Sequence, residues 1–202
     1  MYAIVEDNNI TQYINNPKSV IIGDVRYPAK IFELWTTAEK EAIGIYEIVV
    51  DKTNYKDPAY YNNTNSSYTF ADGQVTESWG TATAKELEDR NATDEDGVEL
   101  NPIVVIEGLK TEKKKIVKAQ ASTLLERTDW HNHKALDDNS YTIPDNIKTY
   151  RANVRAKSNE METQIDACNN VDELKTLYEY VNTGTEENPV YERPLAEFPE
   201  EI

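Results

Sequence analysis

The sequence has one cysteine, two histidines and no long apolar run, and each shortage closes off a class of protein. A lone thiol, Cys168, cannot form an internal disulfide, and a single cysteine is more often a small core residue than a nucleophile. Apolar stretches such as Ile48-Val49-Val50 and Ile103-Val104-Val105-Ile106 fall far short of the roughly 20 residues that span a bilayer. The first residues, Met1-Tyr2-Ala3-Ile4-Val5-Glu6-Asp7, lack the basic start and apolar stretch of a secretion signal. The Asn-x-Ser/Thr triplets at Asn9, Asn62, Asn65 and Asn91 therefore read as by-products of an asparagine-rich composition.

What is present is charge. The 202 residues carry 37 acidic and 21 basic side chains, a formal net charge of −16. At this length folding should hide roughly 70% of the unfolded chain's surface, enough for a real core in one or two domains. A field this negative repels phosphate, so nucleic-acid or anionic-membrane binding is not expected without a segregated basic patch. The charge is uneven: residues 1–107 hold 8 basic and 19 acidic groups, residues 109–157 hold 11 and 6, and residues 186–202 hold 1 and 6. The richest part of the basic island, Lys110, Lys113, Lys114, Lys115 and Lys118, has no interleaved aromatics to stack on bases. It reads as the wet face of a helix, with docking of an acidic partner as the alternative.

The pattern along the chain predicts an α+β protein. Residues 1–80 read as a small β-rich N-terminal domain with one helix. Its strands are Tyr2-Ala3-Ile4-Val5 before a turn at Asn8-Asn9, Val20-Ile21-Ile22 before Gly23-Asp24, and the stretch from Ile45 to Val50. Ile31, Leu34, Trp35 and Ala38 have helical spacing, which predicts one helix running on to Gly44 with Trp35 as its core anchor. Tyr68-Thr69-Phe70 and Gln74 to Trp79 alternate about Asp72-Gly73 as a β-hairpin. Residues 81–107 read as an acidic linker broken by Gly97 and Pro102.

Residues 108–182 then read as helical. Leu109, Ile116, Val117, Gln120 and Leu124 trace a stripe opposite the lysines of a first long helix. A second helix follows Pro144, which suits a first turn because it lacks an N–H. Ile147, Val154, Met161 and Cys168 recur every seven residues along it, flanked by Tyr150 and Ile165, a packing signal that fits either an internal hairpin seam or a coiled coil between subunits. Val171 to Val181 predicts a short third helix. Residues 183–202, with Pro189, Pro194 and Pro199, predict an extended acidic tail whose apolar handles, Tyr191, Leu195 and Phe198, are candidates for binding a partner.

Catalytic motifs are absent: there is no phosphate loop, no dinucleotide glycine pattern, no His-Glu-x-x-His and no Gly-x-Ser-x-Gly. His131 and His133 lie near Asp129, Asp137 and Asp138, but a polar inter-helix loop explains them better than a metal site. Glu86, Asp89 and the Asp94-Glu95-Asp96 run sit in solvated sequence, where a carboxylate has no reason to become a proton-transfer group. No enzyme, cofactor or metal is expected.

The informative constellation lies between the two long helices. Thr128-Asp129-Trp130 closes the first, and Pro144, Tyr150, Arg151 and Arg155 open the second. Arg151 and Arg155 are four apart, on one helical face. If the helices fold back, they come within reach of Asp129 or Glu126, with Trp130 plugging the gap near Tyr150.

The pattern Leu124-Leu125-x-x-Thr128-Asp129-Trp130, Ile143-Pro144, Tyr150-Arg151-x-x-Val154-Arg155 resembles the C-terminal signature of bacteriophage tail-fibre assembly proteins. The ending Phe198-Pro199 is also similar. The resemblance covers about residues 108–168 and, more loosely, the tail. It implies a chaperone in the host cytoplasm that helps a trimeric tail fibre fold or assemble at its C-terminal end, and that in some members stays bound there. The alternative is a permanent virion subunit at a fibre tip, adhesin or baseplate that reuses the same helical module.

Overall fold

The computed structural model describes residues 1–202 as a mixed α+β protein with two compact units, Met1–Thr83 and Ala84–Ile202. In chain order the first unit contains β1 (Tyr2–Glu6), β2 (Asn9–Ile14), β3 (Val20–Ile22), β4 (Val25–Tyr27), α1 (Ile31–Leu34), α2 (Thr37–Glu41) and β5 (Ile45–Asp51). It continues through β6 (Tyr61–Asn62), β7 (Ser66–Ala71) and β8 (Gln74–Trp79), and β9 (Thr83–Ala84) stands at its end.

Five strands form a sheet in the order β2-β1-β5-β8-β7. All neighbours are antiparallel except β5 and β8, which pair from Ile48↔Val75 to Asp51↔Ser78. The hairpin expected at Asp72-Gly73 is β7–β8, and both turn residues have positive φ, at 51° and 74°, as the tight two-residue turn demands. The turn after β1 is made one residue earlier than Asn8-Asn9, by Asp7 and Asn8 at φ 49° and 63°. Alternation along β1 sends Ile4 to one face with Ile14, Ile31, Phe32 and Ile45, and Ala3 and Val5 to the other with Ile48 and Val75. Tyr13–Tyr68 and Tyr46–Phe70 ring pairs extend the second cluster.

The single helix expected over residues 31–44 is two short ones. Thr36 is extended at φ −64°, ψ 164°; its hydroxyl accepts from the Glu39 N–H, while the Glu39 carboxylate accepts from the Thr36 N–H. This reciprocal cap starts a new helix and so ends the old one, which periodicity alone does not reveal. Trp35, at the break, packs edge-on against Tyr27 and is half-buried.

The second unit contains β10 (Arg90–Asn91), β11 (Val105–Ile106), α3 (Leu109–Glu126), α4 (Asp129–Asp137), α5 (Asp145–Ala167), α6 (Val171–Tyr178), β12 (Val181–Asn182) and β13 (Tyr191–Glu192). Lys118 meets Glu162 and Arg151 reaches back to the Leu125 carbonyl, so α3 and α5 run antiparallel. The heptad stripe fills that seam: Val154, Met161 and Ile165 are fully buried, and Ile147 and Cys168 nearly so. The stripe is therefore an internal seam, not the coiled-coil interface between subunits that the spacing also allowed. Burial pushes the Cys168 thiol above its ordinary pKa, in keeping with a packed, protonated side chain.

Two expectations for α3 fail for tertiary reasons. The inward face of α3 is Leu109, Lys110, Val117 and Ala121, while Ile116 and Gln120 are exposed. The lysines are not a free wet face: Lys110 is buried and bonds Glu88 and the Asp166 carbonyl, Lys114 pairs with Asp166, Lys115 with Glu107, and Lys118 with Glu162. The lysine-rich island is thus neutralised by acids within its own unit.

The predicted linker is folded. Its strands β10 and β11 pair Arg90↔Ile106 and Asn91↔Val105, and an Asp94 turn closes the far end, with the carboxylate accepting from the Asp96 and Val98 N–H groups. The tail folds as well. After the β12–β13 hairpin, the Leu195 N–H donates to the Leu177 carbonyl. The Gln164 side-chain amide clasps the strand, donating to the Pro194 carbonyl and accepting from the Ala196 N–H. Leu195 is 1% exposed, and Phe198 packs on Ala121, Tyr150 and Val154. Of the three handles assigned to a partner, Leu195 is therefore a core residue of this chain, Phe198 is half-buried against the core, and Tyr191 is exposed.

Asp89 joins the hairpin base to α3. Its carboxylate accepts the Gly108 N–H at 2.8 Å, and this bond, with a second from the Thr111 hydroxyl, holds its pKa below the usual carboxylate value. A lowered folded pKa means that the contribution is complete above about pH 3.9, the unfolded value, and is lost as pH falls through the folded one. Asp89→Asn is expected to be less stable at pH 6 and to lose less than wild type on acidification. Urea midpoints between pH 6 and pH 2 check this, and parallel curves for the two proteins would refute it.

Candidate functional site at the helical bend

The residues singled out between the helices meet around Arg151. Its side chain leaves the inner face of α5 one turn past the start and is buried, with the residue 7% exposed. One terminal nitrogen donates to the Leu125 carbonyl at 2.8 Å and the Thr128 hydroxyl at 2.7 Å, and the other lies 2.7 Å from Asp129 Oδ1. Thr128 is itself buried, and its hydroxyl donates to Leu125 O at 3.0 Å. A planar guanidinium is suited to this task because its donors lie in a fixed fork. The cation also sits at the C-terminal end of α3, where carbonyls lack helical partners and the helix dipole is negative.

Around the clamp, Tyr150 is buried against Ala121 and Val154, with Leu124, Leu125 and Phe198 packed on the same cluster. Pro144 lies one residue outside α5, as its cap, and its carbonyl accepts the Lys148 N–H. Arg155 departs from expectation. It is exposed and reaches the Arg151 carbonyl at 3.4 Å, not a carboxylate.

Trp130 also departs from expectation. The stretch between the long helices is α4 instead of a loop, and the indole stands 54% exposed on it, stacked on His131 with ring centroids 3.7 Å apart. The indole therefore does not plug the bend. The inward side chain of α4 is His131, whose Nδ1 hydrogen-bonds the Tyr141 hydroxyl, with Lys134 over the Tyr141 ring. His133 is two residues on, roughly 200° around the helix, and exposed. No three histidine, cysteine or acidic side chains converge as metal ligands would. Trp130→Ala is expected to change stability by less than about 0.5 kcal/mol, as an exposed substitution does. A loss of several kcal/mol in urea denaturation would place the ring in the core.

No family model matches the chain, and neither a curated protein nor a solved structure matches it. The bend must be read from its own chemistry. It fixes the geometry of two helices and presents an aromatic shelf, Trp130 and Tyr141, at the turn. Beside it, an open groove of about 620 Å³ runs between α3 and the tail, walled by Ile116, Leu124 and Phe198 and edged by Arg127 and Arg193.

Ile103 to Ile106 is apolar enough to be read as a strand or an interface segment, but its pairing with Arg90 and Asn91 was missed, although the signal was there: Thr93-Asp94-Glu95-Asp96-Gly97 is a turn sequence between two segments of strand length. Gly97 takes φ 78°, and the only isolated bridge, Thr93↔Glu99, spans this turn. No helix is long and apolar enough to cross a membrane.

Proposed function

We propose that this chain is a tail-fibre assembly chaperone, acting in the host cytoplasm on the C-terminal end of a trimeric phage fibre. The observation that carries the reading is the clamp. Of the residues that carry the sequence resemblance, Leu125, Thr128, Asp129, Tyr150 and Arg151 are separated along the chain yet form one hydrogen-bonded and packed corner, whereas Trp130 and Arg155 stand outside it. That partial convergence supports the reading. Assembly assistance needs surface rather than an active site: apolar side chains that cover strand edges until the partner's own subunits do. The exposed hairpin of residues 90–106 and the groove beside Phe198 supply such surface, and the acidic exterior keeps it soluble.

Co-expression with a phage tail-fibre protein from the same genome tests the reading. The fibre is expected to be a soluble trimer with this protein and aggregated without it. Equal yields of soluble trimer in both cases would reject the chaperone role. Mass spectrometry of purified virions addresses persistence: trace amounts fit release after assembly, and stoichiometric amounts would assign the chain as a permanent virion subunit.

A further inference from the structure

The β10–β11 hairpin is the most apolar exposed surface of the second unit. Val98, Leu100, Ile103, Val104, Val105 and Ile106 are 37 to 65% exposed. In β11, Val105 and Ile106 point to opposite faces and are 53% and 39% exposed, so both faces of the strand meet solvent, and Ile103 and Val104 just before it are exposed as well. An ordinary surface strand keeps one polar face outward; β11 has none.

The hairpin is also a two-stranded sheet, with each strand paired only to the other. Both of its outer edges are open, and two strands alone are marginal in water without a third strand or a covering layer. Its base is nevertheless rigidly held. The Gly108 N–H bonds Asp89, the Leu109 and Lys110 N–H groups donate to the Glu86 and Leu87 carbonyls, and the Lys110 ammonium bonds Glu88. Gly108 approaches the other leg so closely that a Cβ there would lie 2.4 Å from the Glu88 carbonyl oxygen, so only glycine fits. The arm projects from a fixed root, which lowers the ordering cost of binding.

Charge selects the occupant. Residues 90–107 hold one arginine against five carboxylates, within a chain of net charge −16. A second copy would bring like charges against like, which disfavours self-pairing. We propose that the β10–β11 hairpin is a docking arm that takes, as an added strand, an apolar segment of a partner polypeptide flanked by lysine or arginine. Backbone pairing at an open edge would supply affinity, the exposed valines and isoleucines apolar contact, and the carboxylates register and charge preference. The inference stands independently of the fibre reading.

Calorimetry on the full chain tests it with two synthetic peptides, each alternating valine and threonine, one with lysine at both ends and one with glutamate. The lysine peptide is expected to bind at least 10-fold tighter than the glutamate peptide and to weaken at higher salt. The triple substitution Ile103→Thr, Val104→Thr, Val105→Thr keeps strand-forming residues at solvent-exposed sites, and it is expected to weaken that binding at least 10-fold. Absence of binding, equal binding of the two peptides, or an unaffected triple variant would overturn the proposal. So would self-association of the wild-type chain, seen by sedimentation, that the triple variant abolishes. If the lysine peptide binds the arm while fibre folding proves independent of this chain, the arm stands and the chaperone role falls.

Discussion

Arg151→Ala is expected to destabilise the protein by about 2–4 kcal/mol. The substitution removes two hydrogen bonds from a charged donor, each worth about 1.5–3 kcal/mol, and empties a buried corner; the Leu125 carbonyl and the Thr128 hydroxyl keep their bond to each other. The Asp129 contact adds less, because that carboxylate is 41% exposed and water takes over when the guanidinium is removed. Arg151→Lys should recover only part of the loss, since a single ammonium on a flexible stem cannot reach three oxygens with fork geometry. Arg155→Ala, four residues on, is expected to stay within about 0.5 kcal/mol. Urea denaturation of the three variants checks the order, and similar losses at 151 and 155 would mean that no clamp exists. Because the clamp fixes the angle between α3 and α5, the same ranking is expected for soluble fibre trimer in co-expression, provided that the variants are compared at temperatures where each remains folded.

Leu195→Ala carries the second large effect, about 2–5 kcal/mol, the range for emptying a well-packed leucine site. The position lies in a polar, proline-rich stretch that the sequence reads as an extended tail with Leu195 as a handle for a partner, so a large stability effect there separates the two. Tyr191→Ala, four residues away and solvent-exposed, is expected to change stability by less than about 0.5 kcal/mol. Thermal melts of the two variants distinguish the cases. A Leu195→Ala protein as stable as wild type would return residues 193–202 to the status of a free tail. Gln164→Ala is a milder companion change, because it removes the two hydrogen bonds that clasp the strand while leaving Leu195 in place.

The α+β class, the Asp72-Gly73 hairpin, the two long helices and the third short one were legible because each rests on local rules. A positive-φ turn needs Asp-Gly, and a buried helical face needs apolar residues three, four and seven apart. The Arg151 clamp was half legible. Spacing placed Arg151 and Arg155 on one face, yet only the crossing of α3 and α5 decides which of them faces inward. Ile116 and Lys110 show the same limit on α3, where the apolar residue is half-exposed and the lysine is buried. A lysine stem is apolar enough to lie in a seam when acceptors at its tip, here the Glu88 carboxylate and the Asp166 backbone carbonyl, receive the ammonium.

By itself, then, the sequence determined the two long helices, the short third one, the Asp72-Gly73 turn and the strongly acidic charge. The tertiary structure decided that Trp130 stands outside, that the heptad seam is satisfied within one chain, that the tail packs through Leu195 and Phe198, and that residues 90–106 form an exposed apolar arm. Local preferences are written in neighbouring residues. Which side of an element is covered depends on partners far along the chain, and those arrive only when the helices and strands are assembled.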